Sequence, residues 1–167
     1  MAKRLWAEMR EKQMGINIRQ KGQGGEREIA DTLNAIIYKV AGDLKLPEED
    51  RRKAASMVQR NQNQSAVGGN DLTNCMGLSI EIKRQEQLSI NTWWKQCEAA
   101  AARNNETPVL MWRQNRKPWQ IRTYAWISLP DRKHKLAVVN FDMDTFKSWF
   151  ADWVSITLQK DPDALRV

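Results

Sequence analysis

The 167-residue sequence predicts one α/β domain, a sheet flanked by helices, on three observations. Leu78-Ser79-Ile80-Glu81-Ile82-Lys83 alternates apolar and polar residues with the period of two that marks a strand. Ile29, Ala30, Leu33, Ile36 and Ile37 recur at helical spacing, so a helix is expected over about 25–40, stopped by Gly42. Beyond residue 90 the periodicity turns from helix to strands and back to helix.

Taken in order, residues 1–20 hold Lys3, Arg4, Arg10, Lys12 and Arg19 among few apolar residues and read as a basic arm or marginal helix. Lys21-Gly22-Gln23-Gly24-Gly25 reads as a mobile loop. Within the helix that follows, three- and four-residue steps from Ile29 and Ala30 reach Glu26, which therefore faces inward, whereas Glu28 falls on a solvent stripe.

Leu46-Pro47-Glu48-Glu49-Asp50 starts a short polar surface helix, and Met57 to Asn61 suits a strand. A Gln, Asn and Gly loop then ends in Gly68-Gly69-Asn70-Asp71. Residues 71–75 are expected to run antiparallel beside 78–83, with Met76-Gly77 as the reversal. A helix over 90–104 places Trp93, Cys97, Ala100 and Ala101 on one side. Strands over 108–112 and 119–124 flank a basic hairpin loop, a further strand covers 136–141, and Asp142 or Asp144 caps a last helix striped with Phe146, Trp149, Phe150, Trp153 and Thr157. The expected organisation is an arm over 1–20, a core over 21–141 and a C-terminal aromatic helix over 142–167.

Composition narrows the chemistry. Twenty-seven Lys and Arg against twenty Asp and Glu give a net charge of +7, a field that attracts polyanions. Cys75 and Cys97 have neither a CxxC spacing nor partner histidines, so no disulfide framework or zinc site is indicated. His134, the sole histidine, sits in a turn-like Asp-Arg-Lys-His-Lys run, which leaves carboxylates and lysine to carry any catalysis. No apolar run approaches the ~20 residues of a membrane span and no signal sequence is visible, so a cytoplasmic protein with no membrane partner is expected.

Carboxylates and a lysine in this arrangement suit phosphodiester hydrolysis with Mg²⁺, or Mn²⁺ in its place. Glu81 and Lys83 share a strand face about 6–7 Å apart, near enough to flank one water and one phosphate. Asp71 is placed to come alongside, Glu26 enters from the helix, and the backbone carbonyl of Ile82 is the usual kind of additional ligand.

At this point the residues resemble the PD-(D/E)xK nucleases, and within them the archaeal-type Holliday junction resolvases and their phage-encoded relatives. Lys21-Gly22-Gln23-Gly24-Gly25-Glu26-Arg27-Glu28 resembles the Lys-Gly-x-x-x-Glu-Arg-Glu of that group, Asp71 its metal-binding Asp, Glu81-Ile82-Lys83 its Glu-Val-Lys, and Pro108-Val109-Leu110 with Trp119 its closing hairpin. Over residues 19–127 the resemblance implies a restriction-endonuclease-like αβββαβ core with a central mixed sheet, N- and C-terminal helical extensions outside it, a homodimer, and paired nicking of four-way junctions in recombination or replication. It implies Glu26, Asp71, Glu81 and Lys83 as catalytic residues, with Glu26, Asp71, Glu81 and Ile82 at the metal, and a host-cytoplasm location if phage-encoded. Gln96 resembles a glutamine that many members place beside the site, and by position is equally an ordinary helix residue. Other substrates compatible with the same chemistry are linear or nicked duplex, and a non-catalytic DNA-binding module is compatible with the same fold.

Contacts to branched double-stranded DNA are expected from Lys21, Arg27, Arg60, Arg84, Lys95, Arg113 and Arg116, which flank the motifs. Trp93 and Trp94 could stack on a base, but helical spacing with Cys97 favours packing for Trp93. The aromatic stripe of the last helix reads as core or interface.

Overall fold

The computed structural model describes residues 2–62 and 70–165. Helix α1 spans Ala2–Asp43 and α2 spans Glu48–Ala54; β1 is Gln59–Arg60, β2 Leu72–Thr73 and β3 Leu78–Arg84. Helix α3 covers Ile90–Asn104, followed by β4 Thr107–Arg113, β5 Gln120–Ser128, β6 His134–Asp142, α4 Met143–Lys160 and a 3₁₀ turn at Pro162–Leu165. Strands β3-β4-β5-β6 form a mixed sheet, β3 and β4 parallel and the rest antiparallel, while β1 and β2 form a separate antiparallel pair. A mixed sheet with helices on both faces and at both ends is the expected class. Among the described residues no helix is long and apolar enough to cross a membrane.

The mobile loop expected at Lys21–Gly25 is helical, because α1 runs unbroken through it. A helical Gly costs about 1 kcal/mol against Ala, so packing must offset the propensity. Gly25 shows how: a Cβ there would meet Trp119 Cη2 at 3.3 Å and Ile82 Cγ2 at 3.7 Å, so its bare backbone lets α1 settle against the sheet. The polar helix expected at the surface also packs inward, with Asp50 and Ala54 of α2 buried against α1.

One face of the sheet is covered by α1 and α4, whose Ile29, Leu33, Ile37, Phe146, Phe150 and Val154 meet Leu78, Ile80 and Ile121 in one core. Helix α4, set apart in the sequence, thus belongs to that core; Asp142 caps it, accepting from Thr145 N at 2.8 Å, and Trp153 Nε1 donates to Met76 O. On the other face α3 buries Trp93, Trp94 and Cys97 against Leu110 and Trp112, so neither tryptophan is presented for base stacking. Both cysteines are buried and free. His134 starts β6 instead of lying in a turn, since β5 and β6 run on together to a Ser128–His134 pair.

Candidate active site

Asp71 is held by backbone on two sides. Its N–H donates to Ile80 O at 3.1 Å and its carbonyl accepts from Asn61 N at 2.9 Å, so it stitches the β1–β2 pair to the free edge of β3. The antiparallel partner expected for residues 78–83 therefore shrinks to this point, and β2 pairs with β1 instead. The left-handed residues Asn74, Met76 and Gly77 make the reversal. The Gly68-Gly69 turn lies outside the described residues. The Asp71 side chain is 8% exposed, and its Oδ2 accepts from Ile82 N at 2.5 Å.

Alternation along β3 puts Glu81 and Lys83 on one face, as expected, with Lys83 Nζ 2.5 Å from Glu81 Oε1. The Asp71 carboxyl is pushed up to about 7 by burial and the Glu81 charge, with Glu26 adding, against the pull of the Ile82 N–H and Lys83. Burial opposes charge on Lys83 too, but Glu81 outweighs it with help from Asp71 and Glu26, and the ammonium is held above its ordinary value. The four charged groups picked from the sequence thus share one electrostatic neighbourhood.

Glu26 faces inward from α1 and is 8% exposed. Its Oε2 lies 2.6 Å from Arg60 Nε on β1, a partner 34 residues away. Asn34 sets that approach: two turns along α1, its amide accepts from Val58 N at 2.8 Å and donates to Val58 O at 3.0 Å, docking the start of β1 on the helix. An Asn in an otherwise apolar helical stripe was the signal available for it.

The other candidates are distributed around this centre. Ile82 has its side chain in the core and its N–H on Asp71. Gln96 is exposed on α3, next to the buried Cys97. Arg27, Lys95 and Arg116 are exposed. Lys21 pairs with Glu86 at 2.7 Å, and Arg113 pairs with Glu28 at 2.5 Å while stacking 4.6 Å from the Trp119 ring. Arg84 lies against Gly24 and Gly25, and its buried Nε has no hydrogen-bond partner among the described residues.

Two functions were missed by periodicity. Glu28, assigned to solvent, also accepts from Trp119 Nε1 at 2.9 Å, so it clamps the β4–β5 turn to α1. Asn70 accepts from Ser79 Oγ at 2.5 Å and donates to Glu106 Oε2 at 2.8 Å, holding the residue before Asp71 in place.

Among the described residues no three His, Cys, Asp or Glu side chains form a ready metal cage. The donor set nevertheless fits a hard divalent cation: it offers carboxylate oxygens, and the neighbouring Cys97 thiol is pushed up to about 12 by burial and Glu81, away from thiolate chemistry. A cation would also relieve the mutual repulsion that raises Asp71.

Residues 17–161 match the model of a family described as "Phage putative PDDEXK endonuclease". No curated protein and no solved structure matches the chain significantly.

Proposed function

This chain belongs to the phage PDDEXK endonuclease family, and from that premise we propose that Glu26, Asp71, Glu81 and Lys83 are the reaction centre of a divalent-metal-dependent DNA endonuclease that prefers four-way junctions. The observation that carries the site is the Asp71 to Ile82 hydrogen bond, which brings the carboxylate just before β2 beside Glu81 and Lys83.

In this proposal Asp71, Glu81 and the Ile82 carbonyl would hold Mg²⁺ or Mn²⁺, joined by Glu26. The bound ion supplies Lewis acidity and a more acidic water. Ile82 N–H orients Asp71 by donating to Oδ2. Lys83, held charged by Glu81, stabilises negative charge on the phosphate as the bond to water forms and the ester P–O bond to the leaving oxygen breaks. Lys21, Arg27, Arg84, Lys95, Arg113 and Arg116 provide phosphate contacts.

The preference for junctions rests on the likeness of Lys21-Gly22 and Glu26-Arg27-Glu28 to the resolvase motif. A homodimer would set two such sites at a fixed separation. Support for one comes from the open edge of β6, beside which the cross-strand neighbours Trp126 and Leu136 stay exposed, Trp126 by 68%. Light scattering should report a dimer that Trp126→Arg disrupts.

The deciding experiment compares a synthetic four-way junction with a matched linear duplex in Mg²⁺. Preferential junction cutting supports the full proposal, and equal cutting of both assigns the enzyme to ordinary duplex. DNA binding without cleavage by wild type, or undiminished cleavage by Asp71→Ala, overturns the active-site assignment.

A further inference from the structure

A polar cavity of about 470 Å³ opens beside Glu26, lined by Arg19, Gly22, Gln23, Glu26, Arg60 and the Asn61–Gln62 segment. Helical spacing puts Arg19, Gln23 and Glu26 along one face of α1, opposite Arg60. Two guanidinium groups and neighbouring amides make this a donor-rich hollow, and its one acid is already paired with Arg60. The space at Gly22 is open, since a Cβ there would meet nothing within 4 Å.

We propose that this cavity seats a DNA backbone phosphate, and that Arg60 exchanges Glu26 for that phosphate when DNA binds. The proposal rests on the nuclease reading and adds an order of events to it. In the free protein Arg60 occupies Glu26 at 2.6 Å, with both side chains mostly shielded from water. A phosphodiester offers a guanidinium two acceptor oxygens in fork geometry, so it competes for the same group. Once Arg60 turns to the phosphate, Glu26 is left as a buried carboxylate next to Asp71 and Glu81. Its charge then needs a new counterion, which a divalent cation supplies. DNA and metal therefore bind with positive coupling, and the full carboxylate set assembles only on substrate.

Coupling between linked sites usually amounts to about 5–150-fold. Mn²⁺ binding, followed by electron paramagnetic resonance, should tighten on the order of tenfold when a hydrolysis-resistant phosphorothioate junction is added. Arg60→Gln should raise Mn²⁺ affinity of the DNA-free protein by about the same factor and abolish the further gain on adding DNA. Arg19→Gln removes an equal charge without touching Glu26, so it should weaken DNA binding yet leave DNA-free Mn²⁺ affinity nearly unchanged. Gly22→Glu, which meets open space on the helix surface, should weaken DNA binding by filling the hollow with negative charge.

Equal Mn²⁺ effects of Arg60→Gln and Arg19→Gln would reduce the coupling to a general field and overturn the exchange. Unchanged DNA affinity in Gly22→Glu would overturn the phosphate seat. If wild type binds Mn²⁺ through Asp71 and Glu81 but Arg60→Gln changes nothing, the exchange alone fails. If no form binds Mn²⁺ with or without DNA, the metal-dependent active site fails and takes this proposal with it.

Discussion

Replacing Asp71 by Asn should stabilise the metal-free protein at neutral pH while abolishing cleavage. Burial and the Glu81 charge raise the Asp71 carboxyl from 3.8 to about 7. A carboxyl that binds its proton more tightly when folded costs the fold nothing in acid, and costs progressively more as pH rises from its unfolded to its folded value. Roughly 1.4 kcal/mol per pH unit, over about three units, sets an upper limit of about 4 kcal/mol near pH 8. Asn keeps an oxygen to accept from Ile82 N and carries no charge. In chelator the wild-type melting temperature, measured relative to Asp71→Asn, should fall between about pH 4 and pH 8, by roughly 2–4 °C for each kcal/mol. Added Mg²⁺ should restore wild type at the upper end and leave the variant unchanged, while cleavage by the variant drops by at least about a hundredfold. A difference that is flat across that window, or that favours wild type as pH rises, would refute this account of the Asp71 environment.

Lys83→Met should lower the single-turnover cleavage rate by about 10²–10³-fold and leave junction affinity in a gel-shift assay nearly intact, since it removes charge stabilisation at one phosphate. Asn34→Ala leaves both Val58 backbone groups without their side-chain partner, and guanidinium unfolding should show a loss of about 2–4 kcal/mol. Glu28→Ala releases Trp119 Nε1 and the partly exposed Arg113, which should cost about 1–2 kcal/mol in the same assay and shift tryptophan emission. Retained stability with an unaltered spectrum would show that Glu28 does not clamp the turn.

Much of the site was legible because strand and helix periods are local properties of the chain. Alternation in 78–83 sufficed to put Glu81 and Lys83 on one face, and helical spacing sufficed to separate Glu26 from Glu28 by burial. The same logic failed at Lys21–Gly25, where glycine propensity argued for a loop and packing against Trp119 and Ile82 kept the helix whole. It also missed the second role of Glu28, whose partners Arg113 and Trp119 lie 85 and 91 residues away.

The sequence by itself determined the α/β class and pointed to the four charged residues of the candidate centre, both of which follow from residue identity and short-range spacing. Tertiary structure alone decided which strand Asp71 joins, that Arg60 covers Glu26, and that α4 completes the core. Each of those depends on contacts between segments far apart in sequence, where burial sets which charges meet and local periodicity carries no information about the partner.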